Sequence, residues 1–413
     1  MFYVLSTDLY KNCTFDYDSF NKMYDTFQAF RPHFNTLARV GYFKIVSGTP
    51  NKFHNYYRCF VWFCVLTYNL QHIIRAVQAR NCTKQLVGTL YLLLTTLNTL
   101  GKQLSFNLRI QRVENVIDVI NNELFKPRNA CHENMMRANA LSMSRLLNFY
   151  HIAVFICTLL FIGYPLIDNA LGNEVYLTGY FPFDTSHSPT FEIAVIYLGV
   201  VISLQAYGHV TMDCTIAAFY AYAQTQLKIL RYNLEHLVDE YQVQGANFIY
   251  FVDNDTELRR MLRNKIVSCI KHYEQIVWFV KEIESIFNEA MIVQFFIVAW
   301  VICMTLYKIV ELPLLSVEFI SMAVYLGCML SQLFIYCFYG THLTVESDLI
   351  NESVYQSDWL SLSPCFRRRL LVLMERFKRK IEPRTARVIP LSVDVYISVL
   401  RSSYALFTIL NRK

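Results

Sequence analysis

Seven apolar stretches recur along the chain, centred on residues 60–72, 86–104, 149–167, 193–222, 286–307, 314–339 and 391–410. Hydrocarbon holds no water to satisfy a backbone N–H or C=O, so runs of about 20 apolar residues cross a membrane only as helices that close their own hydrogen bonds. The pattern dictates an all-α polytopic membrane protein with seven transmembrane helices. The first stretch is the least regular, interrupted at its end by Asn69, Gln71 and His72. Composition agrees: of 413 residues, 54% are hydrophobic and only 17% charged, too apolar for a soluble chain of this size. The first twenty residues have no basic segment leading into an apolar one, so no cleaved signal peptide is expected and membrane entry begins at an internal span.

The basic residues set an orientation. Residues 1–58, 102–145, 228–281 and 367–387 hold 31 Lys and Arg between them, whereas the alternate connections and the C-terminal end hold 6. Lys and Arg beside spans stay on the cytoplasmic side, so the N-terminus is expected inside and the C-terminus outside. Receptors that signal through G proteins need the opposite, which leaves that class as an alternative with topology against it. The net charge of +6 is accounted for by these segments, and no nucleic-acid partner is expected. Of the sequons, Asn12, Asn254 and Asn351 fall inside and only Asn81 lies outside, where it is either glycosylated or too close to the membrane to be reached.

Chemistry is sparse. The 12 cysteines lie mostly in spans or inside segments, so no disulfide framework forms, and no CxxC or HxxH pair marks a metal site. No cofactor is expected. His151, His209 and His342 lie in or beside spans without a Ser, Asp or Glu in a nucleophile or acid–base pattern, so each reads as a hydrogen-bonded helix histidine and no enzyme is expected. In the last span Asp394 and Arg401 share a face with Ser398, Ala405 and Thr408, either lining a watery path or serving as packing and subunit contacts.

Some spans continue as amphipathic helix. Leu227, Leu230, Leu234 and Leu237 make an apolar stripe with charges opposite, and residues 359–379 repeat the pattern. One such stripe could lie on a membrane surface; several predict a cytoplasmic bundle. The 31 Phe and 28 Tyr suit a dry, deformable pocket for a small lipophilic ligand, and entry from outside points to Tyr91, Thr95, Phe155, Leu159, Tyr197 and Tyr207.

Two segments carry a resemblance. Residues 334–360, through Cys337, Tyr339, Gly340, Glu346, Ser347, Tyr355 and Trp359, and residues 390–410, through Pro390, Leu391, Ser392, Ser403 and Tyr404, resemble the insect odorant receptor family. Weaker matches fall at 180–189 and 227–237. The resemblance implies a tuning subunit: an odorant-gated, non-selective cation channel that assembles as a tetramer with a shared co-receptor, held by a cytoplasmic anchor of helix extensions, in the plasma membrane of a sensory neuron. Gustatory receptors of the same superfamily are the nearer alternative, but the Ser403-Tyr404 pair and the Leu410-Asn411 end depart from their pattern. Placement on the family's last helix implies a gate at Phe407, Leu410 and Asn411, with Ser403 a turn below, on nearly the opposite face from Asp394 and Arg401. The expected organisation is a cytoplasmic N-terminal segment (1–58), spans one to four (59–222), a cytoplasmic helical extension (223–285), spans five and six (286–340), anchor helices (341–388) and a pore-lining helix (389–413). Small volatile ligand, co-receptor and membrane lipid are the expected partners.

Overall fold

The computed structural model describes residues 25–44, 52–172, 175–185, 187–238, 256–313, 316–386 and 388–411. A short helix α1 (Arg31–Arg39) comes first and ends at Gly41, whose φ of +80° lets Tyr42 N donate back to Leu37 O at 2.9 Å and closes the helix end. Then follow α2 (Lys52–Gln78), α3 (Thr83–Leu108), α4 (Ile110–Ile120), α5 (Ala130–Ala170), α6 (Thr190–Glu235), α7 (Thr256–Glu311), α8 (Val317–Asp348), α9 (Ile350–Gln356), α10 (Pro364–Phe377) and α11 (Val393–Asn411). A two-residue hairpin, Arg384–Thr385 paired antiparallel with Ile389–Pro390, precedes α11.

Four of these helices, α5 to α8, are long and apolar enough to cross a membrane by length and composition. At 1.5 Å per residue, the 27 residues of α2 and 26 of α3 extend about 40 Å and the 19 of α11 about 28 Å, comparable with or longer than a hydrocarbon core of roughly 30 Å. The chain is a helical, multi-pass membrane protein. Its outer surface carries Phe60, Phe63, Phe149, Ile152, Phe296 and Trp300 exposed, an arrangement that water would penalise and lipid does not.

The axis of the molecule is α6. Every residue from Gly208 to Ala223 is buried, because α5, α8, α7 and α3 all pack around it. Hydroxyls there are satisfied along the helix itself: Thr211 donates to Tyr207 O and Thr215 to Thr211 O, each at 2.6 Å. Close approach also uses the absence of a side chain, since a Cβ on Gly208 would sit 2.2 Å from the Tyr42 ring.

Beyond the apolar section, α6, α7 and α8 run on at the basic end and gather with α4, α9 and α10. The stripe Leu227, Leu230, Leu234 and Leu237 is buried there at 0–1% exposure, each side chain adding about 1.5–3 kcal/mol by leaving water. On α10 the residues Phe366, Leu370, Leu373, Met374 and Phe377 form the matching inner face. Polar ties fix the register: Arg231 donates to Glu346 Oε2 at 2.7 Å and to Ser353 Oγ at 2.9 Å, and Ser353 donates to Glu235 Oε1 at 2.7 Å.

Two histidines make this end sensitive to acid. His272 Nε2 donates to Gln226 Oε1 at 2.9 Å, and burial with nearby Arg128 lowers its pKa to about 3. His132 is lowered to about 4 by burial and by Arg128. Both folded values lie below the unfolded one, so the unfolded chain takes up protons first as pH falls below about 6.5. Stability should be flat above that pH and decline below it by roughly 1.4 kcal/mol per pH unit for each histidine, down to its folded pKa. Melting temperatures of the detergent-solubilised protein at pH 7.5 and 5 test this, and His272→Gln should shallow the decline; an unchanged slope would count against His272.

Candidate functional site

A cavity of about 110 Å³ lies between α3, α5, α6 and α8. Its lining on α8 runs from Ser321 to Gln332, roughly 16 Å along the helix axis. Because α3 and α6 run toward the basic end, as α8 does, the cavity has a defined polarity along the bundle. At the end farther from the basic segments it is walled by Tyr91, Phe161, Ile202 and Met322. The rings of Tyr91 and Tyr325 meet edge to face, 5.5 Å between centroids. Tyr325 donates to Thr95 Oγ1 at 2.5 Å while Thr95 donates to Tyr91 O at 2.8 Å, so both hydroxyls are occupied by the wall. Lys308 lies just outside, 2.7 Å from Glu318 and 5.7 Å from the Tyr91 ring centre. Midway down, the Cys157 and Cys328 sulfurs approach to 3.8 Å.

The deep end is polar. Thr99, Gln205, His209 and Gln332 line it, with 1–3% of Gln205, His209 and Gln332 exposed. Immediately beneath is an ion pair with no path to water: Lys102 and Asp213 are each 1% exposed and bonded Nζ to Oδ1. Tyr336 donates to the same carboxylate oxygen at 2.5 Å. Lys102 Nζ also reaches His209 Nε2 at 3.3 Å, and His209 Nδ1 lies 2.9 Å from Thr99 Oγ1. Thr99 donates to Thr95 O at 3.0 Å, so its oxygen accepts from His209, whose proton is then on Nδ1 and whose Nε2 accepts from Lys102. A charge is tolerated this deep only when paired and hydrogen-bonded, and Asp213 Oδ1 meets both conditions while its Oδ2 is left without a hydrogen bond.

Of the residues the sequence singled out for a pocket, Tyr91 and Thr95 line this cavity. Phe155 and Leu159 are 53% and 56% exposed on the outward side of α5. Tyr197 packs with Tyr68, Leu198 and Val201, its ring 6.1 Å from that of Phe181, and Tyr207 packs over His151, 5.4 Å between rings. These four are not part of the cavity wall. His151 is itself paired, Nε2 to Thr211 Oγ1 at 3.0 Å.

On α11, Ser403 is 1% exposed and donates to Val399 O at 2.8 Å, turned toward the other helices, while Phe407 is half-buried with its ring 6.1 Å from Tyr404. The side chains of Leu410 and Asn411 lie outside the described residues, as do Asn12 and Asn254. The polar face of Asp394, Ser398 and Arg401 is exposed, facing away from the other helices. Asn81 is exposed at the end of the turn Ala79–Asn81, between α2 and α3.

What the sequence reading passed over is the Lys102–Asp213 pair and the two buried glutamines. The signal was present: Lys102 and Asp213 both fall inside apolar stretches, where an ionisable residue marks a site by default.

A bundle of membrane helices around a mostly apolar cavity with a polar deep end can hold a small ligand. The family model for the 7tm odorant receptor matches residues 83–404, and the chain belongs to the insect odorant receptor family. Among its relatives, odorant receptor 46a isoform A of Drosophila melanogaster is 24% identical over 353 residues, 85% of this chain and 88% of that one. Odorant receptor Or1 of Anopheles gambiae is 18% identical over 79% of this chain and 80% of its own. The fold matches that of the insect olfactory receptor OR5 from Machilis hrabei with a TM-score of 0.78 at 16% identity, covering 92% of this chain and 96% of that one. The same receptor in complex with eugenol matches equally, with a TM-score of 0.78 at 15% identity over 94% of this chain and all of that one.

Proposed function

We propose that the chain is the odorant-binding subunit of a heteromeric, ligand-gated, non-selective cation channel in the plasma membrane of a sensory neuron. The observation that carries this is the cavity: aromatic, thioether and thiol side chains around a space of about 110 Å³ suit a small volatile molecule held by dispersion. An engineered apolar cavity of about 150 Å³ takes up benzene, which sets the scale of ligand. The cavity replaces Phe155, Leu159, Tyr197 and Tyr207 as the ligand site and keeps Tyr91 and Thr95. Partners in this reading are the shared co-receptor within a tetramer, the volatile ligand and membrane lipid.

Orientation rests on the basic residues, which put the N-terminus and the bundle of helix extensions in the cytoplasm and the C-terminus outside, with Asn81 on the outer side. The last helix, α11, lines the pore. Its constriction falls in the final turns at Phe407, Leu410 and Asn411, where a hydrophobic ring gates by dewetting. Ser403, a turn below on the same face, packs against the helix's own bundle, and Asp394, Ser398 and Arg401 on nearly the opposite face serve subunit contacts. Gating is a population shift: an odorant opens the pore only to the extent that it binds the open state better than the closed one.

Recording current against a volatile panel, with and without the co-receptor, tests the reading. Ala206→Trp fills the middle of the cavity and should reduce the odorant-evoked current at least tenfold while surface delivery of the complex persists. An undiminished response in that variant would remove the cavity from the mechanism.

A further inference from the structure

The apolar part of the cavity accounts for affinity and leaves its deep end unexplained. Gln205 is 1% exposed and neither its Oε1 nor its Nε2 has a partner, and Gln332, 3% exposed, leaves its Oε1 unpaired. Both line the cavity, with His209 one turn below Gln205 on the same face of α6. A primary amide sealed from water without partners forfeits its hydration, so such a group is normally satisfied by something it faces. The neighbouring polar groups are already engaged. His209 is held by Thr99 and Lys102 and also meets Gln332, and Asp213, which does not line the cavity, is held through Oδ1 by Lys102 and Tyr336. The pair of opposite charges beneath the floor leaves no net charge to attract an ion. At this deep end, among the described residues, what remains is the Gln205 amide, which donates and accepts, and the Gln332 Oε1 acceptor.

We infer that this receptor's ligands are neutral molecules with one hydroxyl or carbonyl group, bound head-down so that the polar atom meets Gln205 and Gln332 and the hydrocarbon body lies among Tyr91, Phe161, Met322 and Tyr325. The inference rests on the odorant reading above and deepens it by naming the ligand class. A carbonyl accepts from Gln205 Nε2. A hydroxyl does the same and also donates to Gln205 Oε1 or Gln332 Oε1, so alcohols and phenols use more of the site than ketones do. Hydrocarbons leave the amide stranded. Carboxylates and ammonium ions lose their hydration and find no counter-charge that is free.

The test uses the full chain assembled with its co-receptor and matched probes: 4-ethylphenol against 4-ethyltoluene, and 2-heptanone against 2-methylheptane. Each pair keeps size and differs in the polar group. The wild type should prefer the polar member of each pair on the order of tenfold in half-maximal concentration, the equivalent of one well-made hydrogen bond. In Gln205→Leu the orphan amide becomes a side chain of similar volume, so the preference should fall several-fold toward unity while the response to the apolar member is retained or strengthened. Gln332→Leu should reduce the preference for 4-ethylphenol more than that for 2-heptanone, since only the hydroxyl has a proton to give its Oε1. Retention of the full tenfold preference in both variants, with currents intact, would overturn the inference. A wild type silent to every probe and to a broad volatile panel would overturn the odorant reading instead, and this inference with it.

Discussion

Asp213→Ala should cost about 3–5 kcal/mol, enough to remove most folded receptor from the membrane. The side chain lies where α3, α6 and α8 meet, 1% exposed, and it balances Lys102, also 1% exposed. Its Oδ1 accepts from both Lys102 and the Tyr336 hydroxyl, and its Oδ2 faces His209 Nε2 at 3.4 Å. Truncation leaves an ammonium group in a dry interior with only a histidine nitrogen nearby, and leaves the Tyr336 hydroxyl without its acceptor. Lys102→Ala is the mirror case, in which the carboxylate is stranded. The two changes should not add: Lys102→Met combined with Asp213→Leu removes both charges at similar volume, and a large part of the lost stability should return. Melting temperature and the yield of monodisperse receptor in detergent provide the measure. If either single variant were as stable as the wild type, the pair would have to be reached by water or otherwise compensated, contrary to its burial.

This pair also shows where a sequence of this kind is legible and where it is not. The helices and the buried stripe Leu227, Leu230, Leu234 and Leu237 could be read directly, because a helix extension that leaves the membrane meets water on one side only, and its apolar face must then be the inner one. Inside the membrane that rule fails. Lipid is as apolar as the protein interior, so Phe155 and Leu159, half-exposed on α5, look no different in sequence from Val154 and Phe161, which line the cavity on the same helix. Polar residues break the tie. Lys102, Gln205, His209, Asp213 and Gln332 all stand inside apolar stretches and all point to the interior, since lipid offers them nothing. Their partners could not be read, because no local rule joins Lys102 to a carboxylate 111 residues later.

The segments that resemble the odorant receptor family gain a physical reason in the same way. Gly340 belongs to the first and Leu391 to the second, and the fold brings them into contact: a Cβ added at Gly340 would lie 2.2 Å from Leu391 O and 2.7 Å from Leu391 Cβ. The neighbouring Thr341 accepts from Val393 N at 3.1 Å, and Leu391 N donates to Pro383 O at 2.9 Å, so the entry to α11 is pinned between α8 and the strand that precedes it. Glu346 and Ser347, one to two turns farther on, hold Arg231 and the Ile381 N–H.

Gly340→Ala is therefore expected to act on the last helix although it changes only α8. The obstructing atom is a backbone oxygen, which cannot swing aside as a side chain does, so the loop at Leu391 must move and carry the start of α11 with it. Overpacking of this kind costs about 1–3 kcal/mol, and the upper part of that range is expected because the carbonyl and the side chain of the same residue are both struck. Gly327→Ala is the matched control: it lies on the same helix, its added Cβ meets nothing within 4 Å, and a helical Gly→Ala change in open space stabilises by up to about 1 kcal/mol. Melting temperature should thus fall in one variant and hold or rise in the other. Where α11 lines the pore, its displaced N-terminus should also alter the resting current of the Gly340→Ala channel, with no such change in Gly327→Ala. Equal melting temperatures for the two variants would show that α8 and the loop before α11 are not seated against each other, and would remove the mechanical link from the cavity wall on α8 to the last helix.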